Sequence, residues 1–358
     1  MASSSPPGQD GGLSIGSASG PGDRVIDRRA FLGTLTGSLL AAPRAAEAQP
    51  ATNMYRIGVL SDTRPPAARE SSRSGDFADV FRRSMSDFGY VEGRDFGIEW
   101  RNAEGRSSRL DTLASELARL GVDVIVATYP AAVISAKRAT TTIPIVMVNT
   151  PDPVQLGLVA SLARPGGNVT GTTSLSLDLS VKQIELIKES LPRASRIAIL
   201  WNPENPWHPG AMKELAVRAR PSGVQLQGVQ VRAPDELPGA FSAMVTERAH
   251  AVLVLPDPLT YIHRRYVADL AAKQRLPSIG GPREFAEAGC LLSYWAETTD
   301  LYRRAAAYVD RIFKGAKPAD LPVEQPTKFE FVINLKAAKA LGLTIPPTVL
   351  FQADEVLQ

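Results

Sequence analysis

A chain of 358 residues with 44% hydrophobic and 22% charged side chains has room for two lobes of ordinary domain size, and its composition excludes a wholly disordered or fibrous protein. Forty basic side chains stand against 37 acidic ones, a formal net charge of +3 with no long basic run, which argues against electrostatic capture of nucleic acid. One cysteine, Cys290, excludes an intramolecular disulfide and a thiolate metal cage, and only His208, His250 and His263 are available as imidazole ligands or proton carriers. Neither a metal nor another cofactor is expected.

Residues 1–27 are rich in Ser, Gly and Pro and poor in large apolar side chains, so they are expected to form a disordered leader. Residues 28–48 follow the order of an export signal. Arg28-Arg29 precede an apolar run ending near Ala42, and the small-residue pattern Ala46-Glu47-Ala48 supplies a cleavage site. Paired arginines in that place point to the twin-arginine export machinery. The apolar run is shorter than the roughly 20 residues of a membrane span, and no later stretch reaches that length, so a soluble periplasmic protein cleaved near Ala48 is expected.

From Tyr55 onward, short β-rich runs alternate with amphipathic helical ones, the rhythm of βαβ units around a parallel sheet. Arg56 to Leu60 reads as a strand. Phe77, Val80, Phe81, Met85 and Phe88 then recur at helical spacing behind Asp76 as cap. Ile98 to Trp100 reads as a strand and Leu110 to Leu120 as a helix; Val122 to Ala127 is the continuous apolar strand expected of one buried on both faces. A helix from about Pro130, a strand from Ile145 to Val148 and a helix from about Val154 to Leu162 complete the first lobe, residues 49–168.

The break at Pro165-Gly166-Gly167-Asn168 marks the first crossing into a second lobe, residues 169–358. Its first helix is predicted to begin at Ser180, with Gln183 completing a capping box and Leu179 stapled to Ile184. Strands are expected at Ile197 to Trp201, Val224 to Val231, Val252 to Leu255 and Leu291 to Tyr294. A helix over Thr299 to Phe313, a strand from Phe329 to Ile333 and a helix from Leu335 to Leu341 follow, with the chain crossing back to the first lobe in its last third. The class is therefore α/β: two Rossmann-like lobes with parallel sheets joined by a hinge of several crossings.

In open α/β sheets, ligands sit beyond the carboxyl ends of the strands, where helix N-termini present free N–H groups. The residues there are Ser61-Asp62, Thr128-Tyr129-Pro130, Asn149 to Pro153, Asn202 to Pro206 and Asp257-Pro258. Asp152, Asn202, Asn205 and Asp257 each have a purely structural use as caps. Gathered on matching ends of two lobes, they make the case for a cleft. The candidate ligand-binding residues are Ser61, Thr128, Tyr129, Thr150, Asp152, Asn202, Asn205, Trp207, Asp257 and Tyr294. His208 is read as a polar liner. No Gly-x-Ser-x-Gly elbow, His-Glu-x-x-His helix or Walker loop occurs, and Arg283-Glu284 with Glu297 is too unspecific to argue catalysis.

Five collinear stretches carry a resemblance: Gly89-Tyr90-Val91-Glu92-Gly93, residues 139–146 (ATTTIPIV), 152–159 (DPVQLGLV), 164–171 (RPGGNVTG) and 325–330 (QPTKFE). The chain resembles the extracytoplasmic substrate-binding proteins of ABC transporters in the tryptophan and tyrosine uptake group, over nearly its whole length. The resemblance implies a type I periplasmic binding fold that closes on a small molecule and presents it to a membrane permease with a cytoplasmic ATPase. It also implies pocket positions at Thr128, Thr150 to Asp152, and Asn202 to Asn205; relatives usually carry a small residue or a proline where Tyr129 stands. An amino acid, aromatic or otherwise, or a small carboxylate is the expected ligand. A ligand-sensing module for a receptor is the alternative, and a periplasmic enzyme the less favoured one.

Overall fold

The computed structural model describes residues 54–63 and 76–358; the leader and the twin-arginine region predicted for residues 1–48 lie outside them. The first sheet has five parallel strands in the order β2-β1-β3-β4-β5: β1 (Tyr55–Ser61), β2 (Phe96–Asn102), β3 (Val124–Thr128), β4 (Ile145–Thr150) and β5 (Val169–Thr173). Helices α1 (Phe77–Asp87), α2 (Leu110–Leu120) and α3 (Tyr129–Ala139) connect them. The continuous apolar run of β3 divides as its pleat requires. Ile125 and Ala127 join Leu117, Val133 and Met147 under α2 and α3, while Val124 and Val126 join Phe81 and Met85 under α1.

The second sheet has seven strands in the order β12-β11-β10-β9-β8-β6-β7. In chain order its elements begin with α4 (Ser176–Ser190), β6 (Arg196–Trp201), α5 (His208–Arg218), β7 (Gln225–Gln230), α6 (Leu237–Thr246) and β8 (Ala251–Val254). Then come α7 (Pro258–Ile262), α8 (Arg264–Lys273), β9 (Ser278–Gly280), α9 (Glu284–Ala288) and β10 (Leu292–Ala296). After α10 (Thr298–Phe313), the chain adds β11 (Phe329–Asn334), α11 (Leu335–Leu341), α12 (Pro347–Leu350) and β12 (Glu355–Leu357). β6 alternates in the same way as β3: Ile197 and Ile199 face the layer containing α4, whereas Ala198 and Leu200 face Phe241, Met244 and Val267.

Helix α10 follows a strand of the second sheet but packs on the first. Leu301, Ala305 and Val309 are buried with Phe81, Val124 and Val146, and the Phe313 ring stacks on Tyr55 at 3.8 Å between centroids. The chain then returns beside β5, where Glu324 N–H donates to Gly171 O at 3.0 Å and Thr173 N–H to Glu324 O at 3.0 Å. β11 closes the return by pairing antiparallel with β10. Three crossing segments thus join two α/β lobes.

Local chemistry departs from the sequence reading in three places. Val169–Thr173 is the edge strand of the first sheet, so that sheet extends past residue 168. Residues 153–162 form turns instead of a helix, because Gly157 takes a left-handed φ of 66° and Leu158 N–H bonds back to Pro153 O. Helix α4 begins at Ser176, and Ser180 lies inside it, its hydroxyl donating to Ser176 O at 2.8 Å in place of capping. Gln183 braces the second sheet, donating to Gly280 O and Tyr294 O.

Candidate functional site

Four parallel strands end on one cavity of about 230 Å³: β1 contributes Asp62, β3 Tyr129, β6 Asn202 and Asn205, and β8 Asp257. Each end breaks for a local reason. Proline follows Tyr129 and Asp257 in the first helical turn, where its missing N–H costs nothing. Asn202 Oδ1 accepts from Glu204 N–H at 2.9 Å and Asn205 Oδ1 from Trp207 N–H at 3.1 Å, folding the β6 to α5 loop into two successive side-chain turns.

Asp257 is the hub of the second lobe's wall. Its Oδ1 caps α7 by accepting from Leu259 N–H at 2.9 Å and also receives Asn202 Nδ2 at 3.4 Å, while Oδ2 accepts from Asn205 Nδ2 at 2.9 Å. Behind it the fully buried His208 ring ties the loops together. Nε2–H donates to Pro256 O at 3.1 Å, which leaves Nδ1 to accept from Asn202 N–H at 3.0 Å. Burial holds this imidazole below its ordinary pKa, against the pull of the Asp257 charge. It is a neutral brace.

Asp62 forms the opposite wall. It is 2% exposed; Oδ2 accepts from the Ser107 hydroxyl at 2.6 Å, and Oδ1 has no partner among the described residues. Burial pushes its pKa up, the Ser107 bond opposes that, and the Asp257 charge adds to the rise. Tyr129 sits at φ 66°, a left-handed conformation that costs a residue with a Cβ on the order of 1–3 kcal/mol. Its phenol is pushed far up by burial and then by the charges of Glu284, Asp257 and Asp62, with Arg264 opposing, so it remains a hydrogen-bond donor. Tyr261 and Tyr302 are raised by burial and by Glu284 in the same way.

The remaining sequence candidates separate from this group. Asp152 and Trp207 line a neighbouring hollow of about 280 Å³ near the crossing, where Gln155 Nε2 bonds Glu214 Oε1 at 3.2 Å. Asp152 turns its own loop by accepting from Gln155 N–H at 3.0 Å, and Trp207 is 3% exposed. Ser61 and Thr128 lie behind the cavity, bonded to each other at 2.9 Å. Thr150 is fully buried in the sheet. Tyr294 lines neither hollow: its ring stacks near Phe329 and meets Phe331 edge-on, both at 6.2 Å. Sequence reasoning passed over Asp62, whose signal was its place directly after a strand. Arg283, considered for chemistry, instead ties Glu287, Glu330 and Glu355 together.

Residues 74–357 match the family described as ABC transporter substrate binding protein. The chain belongs to that family. A tyrosine-binding protein of Clostridioides difficile (strain R20291) is 28% identical over 264 residues, 74% of this chain and 75% of the relative. Among solved structures, a conserved domain protein from Vibrio cholerae superimposes with a TM-score of 0.77 at 27% identity, covering 85% of this chain and 99% of that one. The ABC domain in complex with L-Trp from Streptococcus pneumoniae gives 0.75 at 27% identity, covering 85% and 100%. The two-sheet architecture with interlobe crossings is thus that of type I periplasmic binding proteins, as the sequence resemblance implied. The chain is the solute-binding component of an ABC importer, an extracytoplasmic protein that works with a permease and an ATPase. No helix among the described residues is long and apolar enough to cross a membrane.

Proposed function

We propose that the protein binds an aromatic amino acid between its lobes and delivers it to the importer. The observation that carries this is the 230 Å³ cavity at the strand ends, which suits a small solute and joins polar groups of both lobes to the Tyr129 ring. The ligand's carboxylate takes the free N–H groups at the start of α3, whose partial positive charge favours an anion. Its ammonium takes the acidic wall at Asp257, and its ring lies on Tyr129. Asn202 and Asn205 move with the second lobe and cover the ligand as the lobes close. Differential affinity for the closed form is all that transport requires, so no covalent step is needed. The L-Trp and tyrosine ligands named for two relatives support the aromatic class.

The chain reaches its compartment through the twin-arginine route and is cleaved near Ala48, on the strength of Arg28-Arg29 and the Ala46-Glu47-Ala48 pattern. Isothermal titration of the exported chain with L-tryptophan, L-tyrosine, L-leucine and L-glutamate tests the ligand class. Tight binding confined to the aromatic pair supports it; binding of only the aliphatic or acidic amino acid overturns it. N-terminal sequencing of periplasmic material, with and without an Arg28→Lys, Arg29→Lys double substitution, tests the route.

A further inference from the structure

The cavity holds a group that nothing so far uses: the free oxygen of Asp62. A carboxylate 2% exposed with one oxygen bonded to Ser107 and the other without a partner among the described residues is an unusual arrangement, because buried polar atoms almost always find partners. The same hollow already contains the Asp257 carboxylate, held by amide and backbone donors that do not neutralise it. Three arginines among the described residues of this region bond other groups. Arg232 donates to Gln230 Oε1 at 2.9 Å, Arg106 lies 3.6 Å from Glu104, and Arg264 donates to Tyr261 O at 3.0 Å. Among the described residues, two carboxylates of opposite lobes therefore line one small cavity, and neither is ion-paired to a described Lys or Arg.

Resting on the amino-acid reading above, we propose that Asp62 is the residue that selects for the ligand's amine: its free oxygen from the first lobe and Asp257 from the second flank one ammonium group. A primary ammonium carries three donors and one positive charge. It satisfies Oδ1 of Asp62 and screens the two carboxylates from each other as the lobes approach. A ligand with the same ring and carboxylate but no amine adds a third negative charge and leaves Oδ1 bare. Sites that bury polar groups for a specific partner reject analogues lacking that partner far more strongly than apolar pockets reject a missing methylene.

The test is isothermal titration of the exported chain with L-tyrosine, its des-amino analogue 3-(4-hydroxyphenyl)propionate and its decarboxylated analogue tyramine, repeated with L-tryptophan and indole-3-propionate. For the wild-type chain the amino acids bind at least about 100-fold more tightly than their des-amino analogues, the size expected for charge-assisted bonds. In Asp62→Asn this ratio falls about tenfold or more, tyramine binding is lost, and the des-amino acids bind as well as before or better. Wild-type protein that binds the des-amino acids as tightly as the amino acids overturns the inference while leaving the aromatic reading intact, and needs no variant to fold. So does an Asp62→Asn chain that weakens both ligand types by the same factor. If none of the five probes binds the wild-type chain, the ligand reading itself has failed, and the role of Asp62 falls with it.

Discussion

Replacing Asp257 with asparagine changes one oxygen into an amide nitrogen at nearly constant shape and removes the charge of the side chain. One side-chain oxygen must remain where Oδ1 is, because Leu259 N–H points at it from 2.9 Å. The new NH2 then faces Asn205 Nδ2, which stands 2.9 Å from Oδ2 in the native protein. Asn205 cannot turn over to meet it without withdrawing its own oxygen from Trp207 N–H. Two donors are left opposed in a buried site, and a charge-assisted bond worth about 1.5–3 kcal/mol is lost. Removing the charge also relieves its repulsion of Asp62, which returns a part of that. The variant is therefore less stable than wild type, by less than the bond itself is worth, about 1.5–3 kcal/mol. Urea denaturation of ligand-free protein at pH 7 measures it, and a double-mutant cycle with Asn205→Ala gives the coupling, about 1 kcal/mol or more. An Asp257→Asn variant as stable as wild type, or a coupling near zero, refutes the bonding scheme.

Gly171→Ala is expected to cost about 3 kcal/mol or more, since its φ is 127° and a Cβ there lies 2.2 Å from Met147 O, a backbone atom with no room to retreat; a melting temperature within 2 °C of wild type contradicts this. Burial raises the Asp62 pKa, so the folded chain binds its proton more tightly than the unfolded one and this residue's contribution to stability declines as pH rises above about 3.8. Asp62→Asn removes that decline: the variant gains on wild type between pH 4 and 7 in thermal unfolding, and an equal difference at both pH values is the contrary result. The Cys290 thiol is buried and pushed up to about 11, so it resists maleimide at pH 8 in the native protein and reacts on addition of urea. Rapid native labelling contradicts its placement.

Most of the first sheet was legible because its central strands are buried on both faces, and runs such as Val122 to Ala127 announce that without any need for alternation. Residues 154–162 misled because apolar spacing near 3.6 also suits a series of turns, and only the conformation of Gly157 separates the two. Ser180 misled because a hydroxyl that caps one helix can back-bond inside another. β9 and β12, three residues each, carry too little pattern to be seen, and the antiparallel pairing of β10 with β11 depends on where α10 delivers the chain. At the candidate site, the strand-end rule pointed to Tyr129, Asn202, Asn205 and Asp257, four residues that line one cavity. It chose Ser61 over Asp62 because the local turn decides which of two adjacent residues enters the cleft, and it included Tyr294, whose ring is taken by the cross-strand pair with Phe331.

The placement of α10 bears on how the molecule is made. A ribosome that has released β1 through β5 has produced every strand of the first sheet, yet one side of that sheet still lacks the layer supplied by Leu301, Ala305 and Val309. That layer arrives only after the whole run from α4 to β10 has been synthesised, so the earliest part of the protein waits for nearly the last before it can become watertight. Nascent chains stalled before residue 298 should therefore remain protease-sensitive in their N-terminal half.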